Sequence, residues 1–280
     1  MPMKYSKKEL DKICIELRKD IVTMLNKAGS GHAGGSLGSV EILVSLYWNV
    51  IKHNPKNPEW EERDYFILSK GHVCPAWYAV LARRGYFSRE ELWTLRKFGS
   101  ILQGHPHHLK TPGVEASTGS LGQGLSISNG IAMAMRFQNK PNRVYCLLGD
   151  GEVQEGAVWE AGMTAAHYKL DNICATIDRN MLQIDGITEE VMGLENLEEK
   201  WRAFNWHVIN VDGHNVEELT KAYDEAMTVK GKPTMVIAKT VKGKGVSFIE
   251  NQVDWHGKAP NDEEYKKAMA ELEEAERRLG

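Results

Sequence analysis

Carboxylate and amide side chains directly follow two apolar segments of this sequence. Asp150 comes after a segment that begins at Val144, and Asn180 comes after one that begins at Asn172. Apolar segments of this length, bounded by glycine and aspartate, are typical of buried parallel strands, and residues 153–168 between them have a helix-forming composition. Parallel strands joined by a helix end at the same edge of a sheet, so the two side chains should lie close together. Their oxygens are the ligands that Mg²⁺ or Ca²⁺ prefers.

Gly151 adds a feature that suits an anion. Glycine lets the backbone approach a ligand closely, and the N-terminus of the following helix favours phosphate. Together with Asp150 and Asn180, it predicts a site for a metal-bound diphosphate. Gly-Asp-Gly is also common in ordinary turns, so the pattern alone leaves a structural turn as an equally good interpretation. Mg²⁺ requires further ligands, which backbone carbonyls after Asn180, phosphate oxygens and water could supply.

Three histidines follow glycine in segments predicted to be loops: His32, His72 and His105. They could form hydrogen bonds with phosphate or substrate hydroxyls, or transfer protons, and a purely structural role is the alternative for each. The segment from His105 to His108 could also suggest a transition-metal site, but no cysteine or suitably spaced acidic residue accompanies it. We therefore expect His107 and His108 to be solvated loop residues.

Two other segments combine glycine with flexibility or charge. Residues 119–124 precede a predicted helix but follow no clear strand, which argues against dinucleotide binding and leaves open a close approach of the backbone to a ligand. Residues 239–245 are basic and contain two glycines. A mobile lid and a solvated loop are both compatible with that composition.

The elements that must position these residues alternate between strand and helix. This alternation predicts an α/β fold, a doubly wound, mostly parallel sheet with helices on both faces. Besides the two strands above, the pattern predicts strands at 64–69, 207–211 and 234–239, and helices at 6–27, 39–51, 75–84, 121–138, 197–204 and 216–229.

The connecting segments have their own signals. A glycine-rich break is expected at 29–38 and a loop at 99–118. A short helix should begin after Ser88, with Glu91 at the capping-box position.

The simplest partition is a single domain over residues 1–280. Its C-terminal helical tail, about residues 261–280, should begin with a capping box formed by Asn261 and Glu264.

Composition limits the classes of function. With 280 residues, 42% apolar and 26% charged side chains and a formal net charge of −3, the chain is typical of a globular protein. This balance indicates neither nucleic-acid binding nor attachment to an anionic membrane. We find no signal-peptide pattern and no apolar run of about 18 residues, so a cytoplasmic location is expected. No close cysteine pair has metal-ligand spacing, and reduced thiols are expected at Cys14, Cys74, Cys146 and Cys174.

Taken together, the motifs resemble those of the thiamine diphosphate enzymes, and specifically transketolase. Each block matches the family only weakly when it is considered alone, but the blocks occur in the family's order over nearly the whole chain. The matching blocks are Ser30–Gly38, Leu68–His72, Gly104–Pro106, Thr118–Gly124, Gly149–Gly156, Asp178–Gly186 and Trp255–Gly257.

The resemblance implies a role for each candidate site residue. It implies that a divalent metal, Mg²⁺ or Ca²⁺, is held by Asp150, Asn180 and the carbonyl of Leu182. It implies that the diphosphate contacts Gly151, His72 and His256, and that the cofactor rings lie along Gly119, Leu121 and Ile184. It implies that the catalytic residues are His32, His72, His105 and His256 around the reacting sugar, and Glu155 at a dimer contact beside the cofactor.

Three positions depart from the usual family pattern. Ala33 and Ser120 stand where proline is common, and Arg179 stands where aspartate, asparagine or tyrosine is common. None of these changes removes a metal ligand. Arg179 could alter the charge beside the cofactor.

The resemblance also implies a partner. Full transketolases continue into a pyrimidine-binding domain and a C-terminal domain, whereas the matching blocks fill this chain. The leading hypothesis is the N-terminal subunit of a split transketolase of the pentose phosphate pathway. It would pair with a separate C-terminal subunit, in an assembly expected to be α2β2, and transfer a two-carbon ketol unit from a ketose phosphate to an aldose phosphate. The alternatives are a ketol transferase of the deoxyxylulose-phosphate or dihydroxyacetone synthase type, and a non-catalytic cofactor-binding subunit.

Overall fold

A five-stranded parallel sheet organises residues 4–280, the part of the chain that the computed structural model describes. Its strands are β1 (Tyr65–Leu68), β2 (Val144–Gly149), β3 (Ile173–Arg179), β6 (His207–Asp212) and β7 (Thr234–Lys239), and a separate antiparallel hairpin consists of β4 (Leu182–Gln183) and β5 (Gly186–Ile187). The spatial order is β1-β2-β3-β7-β6, and every neighbouring pair is parallel. All of the predicted strands are present.

Helices connect and cover these strands. Within the described residues the α-helices are α1 (Lys7–Ala28), α2 (Ala33–Gly38), α3 (Val40–Val44), α4 (Cys74–Arg84), α5 (Gln123–Phe137), α6 (Gly156–His167), α7 (Thr188–Val191), α8 (Leu197–Ala203), α9 (Val216–Thr228) and α10 (Asp262–Leu279). Short 3₁₀ turns occur at Gly71–Val73, Arg89–Thr94, Gly151–Gln154 and Val253–Trp255, and a π-helical segment at Ser45–Val50.

Two hydrophobic cores lie on opposite faces of the sheet. In β2, Tyr145 and Leu147 point into the core shared with α1, α3, α4 and α9. Cys146 and Leu148 point into the core shared with α5, α6 and α8. Because successive side chains of a strand alternate between faces, a strand that is apolar throughout must be covered on both sides. The predicted doubly wound α/β fold is confirmed.

The predicted glycine-rich break at 29–38 is wrong in its second half, where α2 forms. All of α2 is buried, and a Cβ on Gly34 would lie 2.9 Å from the carbonyl oxygen of Trp255. Glycine disfavours a helix in isolation, but this close packing stabilises one here. The single helix predicted at 39–51 is instead α3 followed by the π-helical segment.

Two predicted helix starts also need correction. The Ser88–Glu91 capping box does not form, because the Ser88 hydroxyl donates to the carboxylate of Glu90. The helix predicted from 153 starts as an α-helix only at Gly156, after the 3₁₀ turn.

The last helix begins as predicted. Asn261 and Glu264 form the capping box, and Ala268 and Leu272 are buried in the core that α10 shares with α1. The four cysteines are unpaired and buried. Across residues 4–280, no helix is long and apolar enough to span a bilayer.

Candidate active site

Asp150 and Asn180 follow neighbouring strands and lie at the carboxyl edge of the sheet. The last register pair of β2 and β3 joins Gly149 to Asp178, so both side chains emerge at the same level. The Asp150 carboxylate is only 2% exposed. Its Oδ1 accepts from the backbone N–H of Gly151 at 2.8 Å, and its Oδ2 accepts from that of Met181 at 2.6 Å. The backbone therefore fixes this carboxylate at the end of β2.

Asn180 is oriented by its amide nitrogen. Nδ2 donates to Oδ2 of Asp178 at 3.1 Å, and Oδ1 accepts from the backbone N–H of Leu182 at 3.1 Å. Because the nitrogen is committed to Asp178, the amide oxygen is the atom that remains available to a metal.

Asp178 positions Asn180 through a network of buried hydrogen bonds and an ion pair. It is fully buried and forms an ion pair with Lys70, and it accepts hydrogen bonds from the hydroxyls of Ser39 and Thr240. Burial raises the pKa of this carboxyl, but the charge of Lys70 and the hydrogen bonds from Lys70, Thr240 and Asn180 bring the pKa below its usual value. Asp178 is therefore ionised and holds Asn180 in place.

The electrostatics of Asp150 differ from those of Asp178. Burial and the negative charge of Asp178 raise the pKa of Asp150, and the hydrogen bonds from Gly151 and Met181 with the charge of Arg179 only partly offset this. A divalent cation would compensate this buried carboxylate. Asp150, Asn180 and Leu182 line one cleft, and their carboxylate, amide and carbonyl oxygens (the oxygen set) are of the kind that would hold Mg²⁺ or Ca²⁺. Among residues 4–280, no group of three His, Cys, Asp or Glu side chains is arranged to hold a metal.

Glycines allow the backbone beside these oxygens to pack closely against neighbouring segments of the chain. A Cβ on Gly151 would lie 2.9 Å from Cβ of Gln183, and a Cβ on Gly71 would lie 2.9 Å from the backbone nitrogen of Gly119. Gly119 itself has φ of +154°, which side chains rarely adopt. Glycine is required sterically at these positions.

Three of the predicted histidines form one cluster. The ring centroids of His32 and His72 are 5.0 Å apart, those of His72 and His256 are 5.2 Å apart and stacked, and those of His32 and His256 are 5.8 Å apart. The three rings come from the start of α2, the 3₁₀ turn after β1 and the turn after Trp255. The fold thus brings together residues that are far apart in sequence.

The clustered imidazoles are held neutral. Burial, with nearby positive charge, lowers the pKa of His32 to about 4 and that of His256 to about 3. Burial and the charge of Lys70 lower the pKa of His72 well below its usual range. Nδ1 of His32 is buried and has no hydrogen-bond partner among the described residues.

His105 stands apart from this cluster. It is exposed, and its ring lies 3.1 Å from the position that a Cβ on Gly119 would take. Burial of part of the ring and the charge of Arg96 lower its pKa. Because its charge also interacts with His32, the two rings belong to one electrostatic neighbourhood.

A cleft of about 280 Å³ runs from the oxygen set to the histidines. Its lining includes most of the predicted site residues, namely His72, Leu121, Asp150, Gly151, Glu155, Asn180, Leu182, Ile184 and His256. His32, His105 and Gly119 lie outside this lining. Apolar Leu121 and Ile184 are exposed there, and the Ile184 side chain is 65% exposed.

Comparison with known proteins agrees with this arrangement. The family described as transketolase, thiamine diphosphate binding domain, matches residues 10–275. The chain belongs to the transketolase family. Its carboxyl-edge cleft therefore belongs to a thiamine diphosphate binding domain.

Relatives of similar length carry the names of transketolase subunits. The chain is 47% identical over 257 residues to a 6-deoxy-6-sulfo-D-fructose transketolase subunit of Clostridium sp. (strain MSTE9), covering 92% of this chain and 94% of the relative. It is 43% identical to an apulose-4-phosphate transketolase subunit of Phocaeicola vulgatus, covering 92% and 91%. Both relatives are named as transketolase subunits, and each is similar to this chain over nearly the full length of both. They do not support the deoxyxylulose-phosphate or dihydroxyacetone synthase alternative.

The fold of this chain is also similar to that of a solved transketolase structure. The crystal structure of transketolase from Campylobacter jejuni superposes with a TM-score of 0.91 at 35% identity, covering 98% of this chain and 46% of that chain. The present transketolase chain thus spans less than half the length of that enzyme.

Sequence reasoning missed Lys242 in this transketolase site. The segment 239–245 was predicted to be a lid or a solvated loop, but Lys242 is 2% exposed. Its Nζ donates to the Leu182 carbonyl at 3.2 Å and lies 2.8 Å from Nδ1 of His256. Burial lowers the pKa of Lys242 to about 8. The glycine after Lys242 is a sequence signal for close packing of this segment. A Cβ on Gly243 would lie 2.6 Å from Ile249.

Glu152 was also missed. Its buried carboxylate accepts from the Ser69 hydroxyl, from the N–H of Gly122 at 2.9 Å and from the N–H of Gly149 at 3.0 Å. It therefore joins the ends of β1 and β2 to the start of α5. Glu155, which was predicted, lies exposed at the rim of the cleft.

The two histidines predicted to be solvated differ from each other. His108 is exposed, with Nδ1 2.9 Å from the Val114 carbonyl. His107 departs from the prediction, because its Nδ1 is buried and unpaired among the described residues. Packing of the loop, rather than its composition, decides this burial.

Proposed function

We propose that this chain is the N-terminal subunit of a split transketolase. It binds the diphosphate of thiamine diphosphate through Mg²⁺, and it pairs with a separate C-terminal subunit that carries the pyrimidine-binding domain. The assembly transfers a two-carbon ketol unit from a ketose phosphate to an aldose phosphate. The observation that carries this proposal is the oxygen set of Asp150, Asn180 and Leu182 beside the neutral histidine cluster.

The oxygen set would hold the metal that neutralises the diphosphate. Asp150 supplies the charge, and Asn180 and the Leu182 carbonyl supply neutral oxygens. The glycine backbone at Gly151 and the ring of His72 would contact the phosphate oxygens. Ca²⁺ is the alternative metal, since the same oxygens accept either cation.

The histidines would hold and move protons on the sugar. A neutral imidazole carries one donor and one acceptor, so His32, His105 and His256 can bond hydroxyls in either direction. Because their pKa values are lowered, they remain neutral at physiological pH. When bound, thiamine diphosphate supplies the electron sink that lets a carbon–carbon bond of the sugar break and re-form.

The partner would complete the cleft. Leu121 and Ile184 present exposed apolar surface where the cofactor rings would lie, so a second polypeptide is needed to exclude water from them. Glu155 at the rim would contact the second copy of this subunit, which gives the proposed α2β2 assembly. The proposed setting is the cytoplasm and the pentose phosphate pathway.

The names of the relatives inform the substrate class. One relative is named for 6-deoxy-6-sulfo-D-fructose and another for apulose-4-phosphate. Both names describe a sugar that carries an anionic group, sulfo in one and phosphate in the other. We propose the same class, a sugar with an anionic group, for this chain.

Calorimetry with thiamine diphosphate and Mg²⁺ tests the cofactor site. Asp150→Ala should weaken metal-dependent cofactor binding by at least about tenfold, because it removes the charged ligand. Asp11→Ala, in an exposed pair with Lys7, is the matched control and should bind as the unaltered chain does. Equal binding by both variants would contradict the site.

Activity measurements test the split assembly. The chain with a co-purified partner should convert a ketose phosphate and an aldose phosphate into new sugar phosphates. Strong transketolase activity from this chain alone would refute the requirement for a partner.

A further inference from the structure

Arg179 connects the predicted metal ligand to a neighbouring segment. Its guanidinium is almost fully buried, with Nη1 3.3 Å from Oδ2 of Asp150. Nη2 forms ion pairs with Glu195 at 2.8 Å and with Glu189. One permanent cation is therefore shared between Asp150 and two carboxylates that lie outside the cleft lining.

The position of this guanidinium conflicts with a divalent cation at Asp150. Oδ2 of Asp150 already accepts from the N–H of Met181 and from Arg179. A metal on the same carboxylate would meet a like charge at close range, and such repulsion is strong in a buried site. Glu189 and Glu195, which already pair with the other nitrogen of the guanidinium, would retain Arg179 if it left Asp150.

We propose that Arg179 is a positioning residue that competes with the divalent cation for Asp150. In the metal-free chain it neutralises the buried carboxylate. When the metal binds, Arg179 leaves Asp150 and is retained by Glu189 and Glu195. This inference rests on the proposed function, because it requires a metal at Asp150.

The segment that receives Arg179 is linked to the cleft by hydrogen bonds. The Glu189 carboxylate accepts from the backbone N–H groups of Leu194 at 3.0 Å and Glu195 at 3.3 Å. Gln154, which lines the cleft, donates to the carbonyl of Met192 at 2.8 Å. A shift of the guanidinium toward Glu189 therefore changes the backbone contacts of residues 189–195, so metal binding should alter this segment.

Two variants distinguish competition between Arg179 and the metal from a role of Arg179 that only holds residues 189–195 in place. Arg179→Gln removes the competing cation, so the affinity for the metal should rise by about tenfold. Glu195→Gln removes one of the alternative partners and leaves Arg179 on Asp150, so the affinity should fall by about threefold. Both variants break the same Arg179–Glu195 ion pair. A residue that only anchors the segment would therefore make both affinities change in the same direction.

The measurement is a Mn²⁺ titration of the full chain in its native assembly, freed of metal and saturated with thiamine diphosphate. Free Mn²⁺ is followed by electron paramagnetic resonance. Glu198→Gln, in an exposed pair with Arg202, is the control for a surface charge change. Because Glu195 is 56% exposed, its variant should fold even if the Arg179 variant does not.

Opposite shifts for Arg179→Gln and Glu195→Gln would support competition. Shifts in the same direction, or an unchanged affinity for Glu195→Gln, would overturn it. Absence of Mn²⁺ binding by the unaltered chain would instead refute the proposed metal site itself. Hydrogen exchange at residues 189–195 provides a second readout, and exchange that Mn²⁺ leaves unchanged would also count against the proposal.

Discussion

Asp178→Asn should be among the most destabilising conservative changes in the carboxyl edge of the sheet. The side chain of Asp178 has no exposed surface, and its partner Lys70 is 2% exposed. The substitution keeps the shape of Asp178, removes its charge and replaces one acceptor oxygen with a donor nitrogen that must face donors such as Lys70 or Thr240. It leaves the ammonium of Lys70 buried, with the hydroxyl of Ser39 at 2.8 Å as a remaining acceptor.

The expected loss follows from the cost of an unpaired buried charge. Removing one partner of a buried ion pair typically costs about 3–5 kcal/mol, whereas a domain as a whole is stabilised by about 5–15 kcal/mol. The substitution should therefore remove about a fifth or more of the free energy of unfolding. With a urea dependence of about 3 kcal/mol per molar, the unfolding midpoint should fall by about 1 M or more.

The measurement is urea unfolding of the full chain followed by circular dichroism. Asp11→Asn is the matched control, since Asp11 pairs with Lys7 at the surface one helical turn away. Exposed pairs of this kind contribute about 0.3–0.5 kcal/mol. The control should therefore unfold within about 0.2 M of the unaltered chain.

A double variant tests the cause of the loss. Lys70→Met combined with Asp178→Asn removes both charges, so its cost should fall short of the sum of the two single costs by about 1–3 kcal/mol. Additive costs would show that the two charges do not depend on each other. A loss for Asp178→Asn no larger than that for Asp11→Asn would refute the reasoning outright.

Two further predictions concern the histidines and a glycine. The free energy of unfolding should decrease as the pH is lowered from 6.5 toward about 4. His32 and His256, with pKa values of about 4 and about 3, stay neutral in the folded chain while the unfolded chain takes up protons. Urea midpoints that do not change with pH between 6.5 and about 4 would contradict this prediction. Gly122→Ala should cost about 1–3 kcal/mol, because Gly122 has φ of +83° and its Cβ would lie 2.7 Å from that of Glu155. Gly130→Ala, with no described atom outside its own helix within 4 Å of its Cβ, should instead stabilise α5 by about 0.4–1 kcal/mol. Equal changes in the melting temperature of the two variants would refute this difference between the two glycines.

The sequence allowed the central pair of the site to be predicted because its strands are consecutive. Asp150 and Asn180 directly follow β2 and β3, which are joined by one helix, and such strands are usually neighbours. Alternation of strands and helices was likewise enough for the fold class. The local backbone conformation was harder to predict from the sequence. The glycines of α2 indicated a break, and only the burial of that whole helix, with Gly34 packed against Trp255, shows why it is helical.

Lys242 and Arg179 could not be placed by the same argument. Lys242 follows β7, which lies beside β3 although β6 precedes it in the chain. The order β3-β7-β6 brings Lys242 to Leu182 and His256, and no spacing in the sequence specifies that order. The outward contacts of Arg179 depend on where the chain after β5 turns back, since Glu189 and Glu195 both lie beyond the hairpin. Motifs at the ends of successive strands can thus be assembled from sequence. A cation brought in by a strand inserted out of order, such as Lys242, or carboxylates brought in by a segment after the hairpin, such as Glu189 and Glu195, require the tertiary structure.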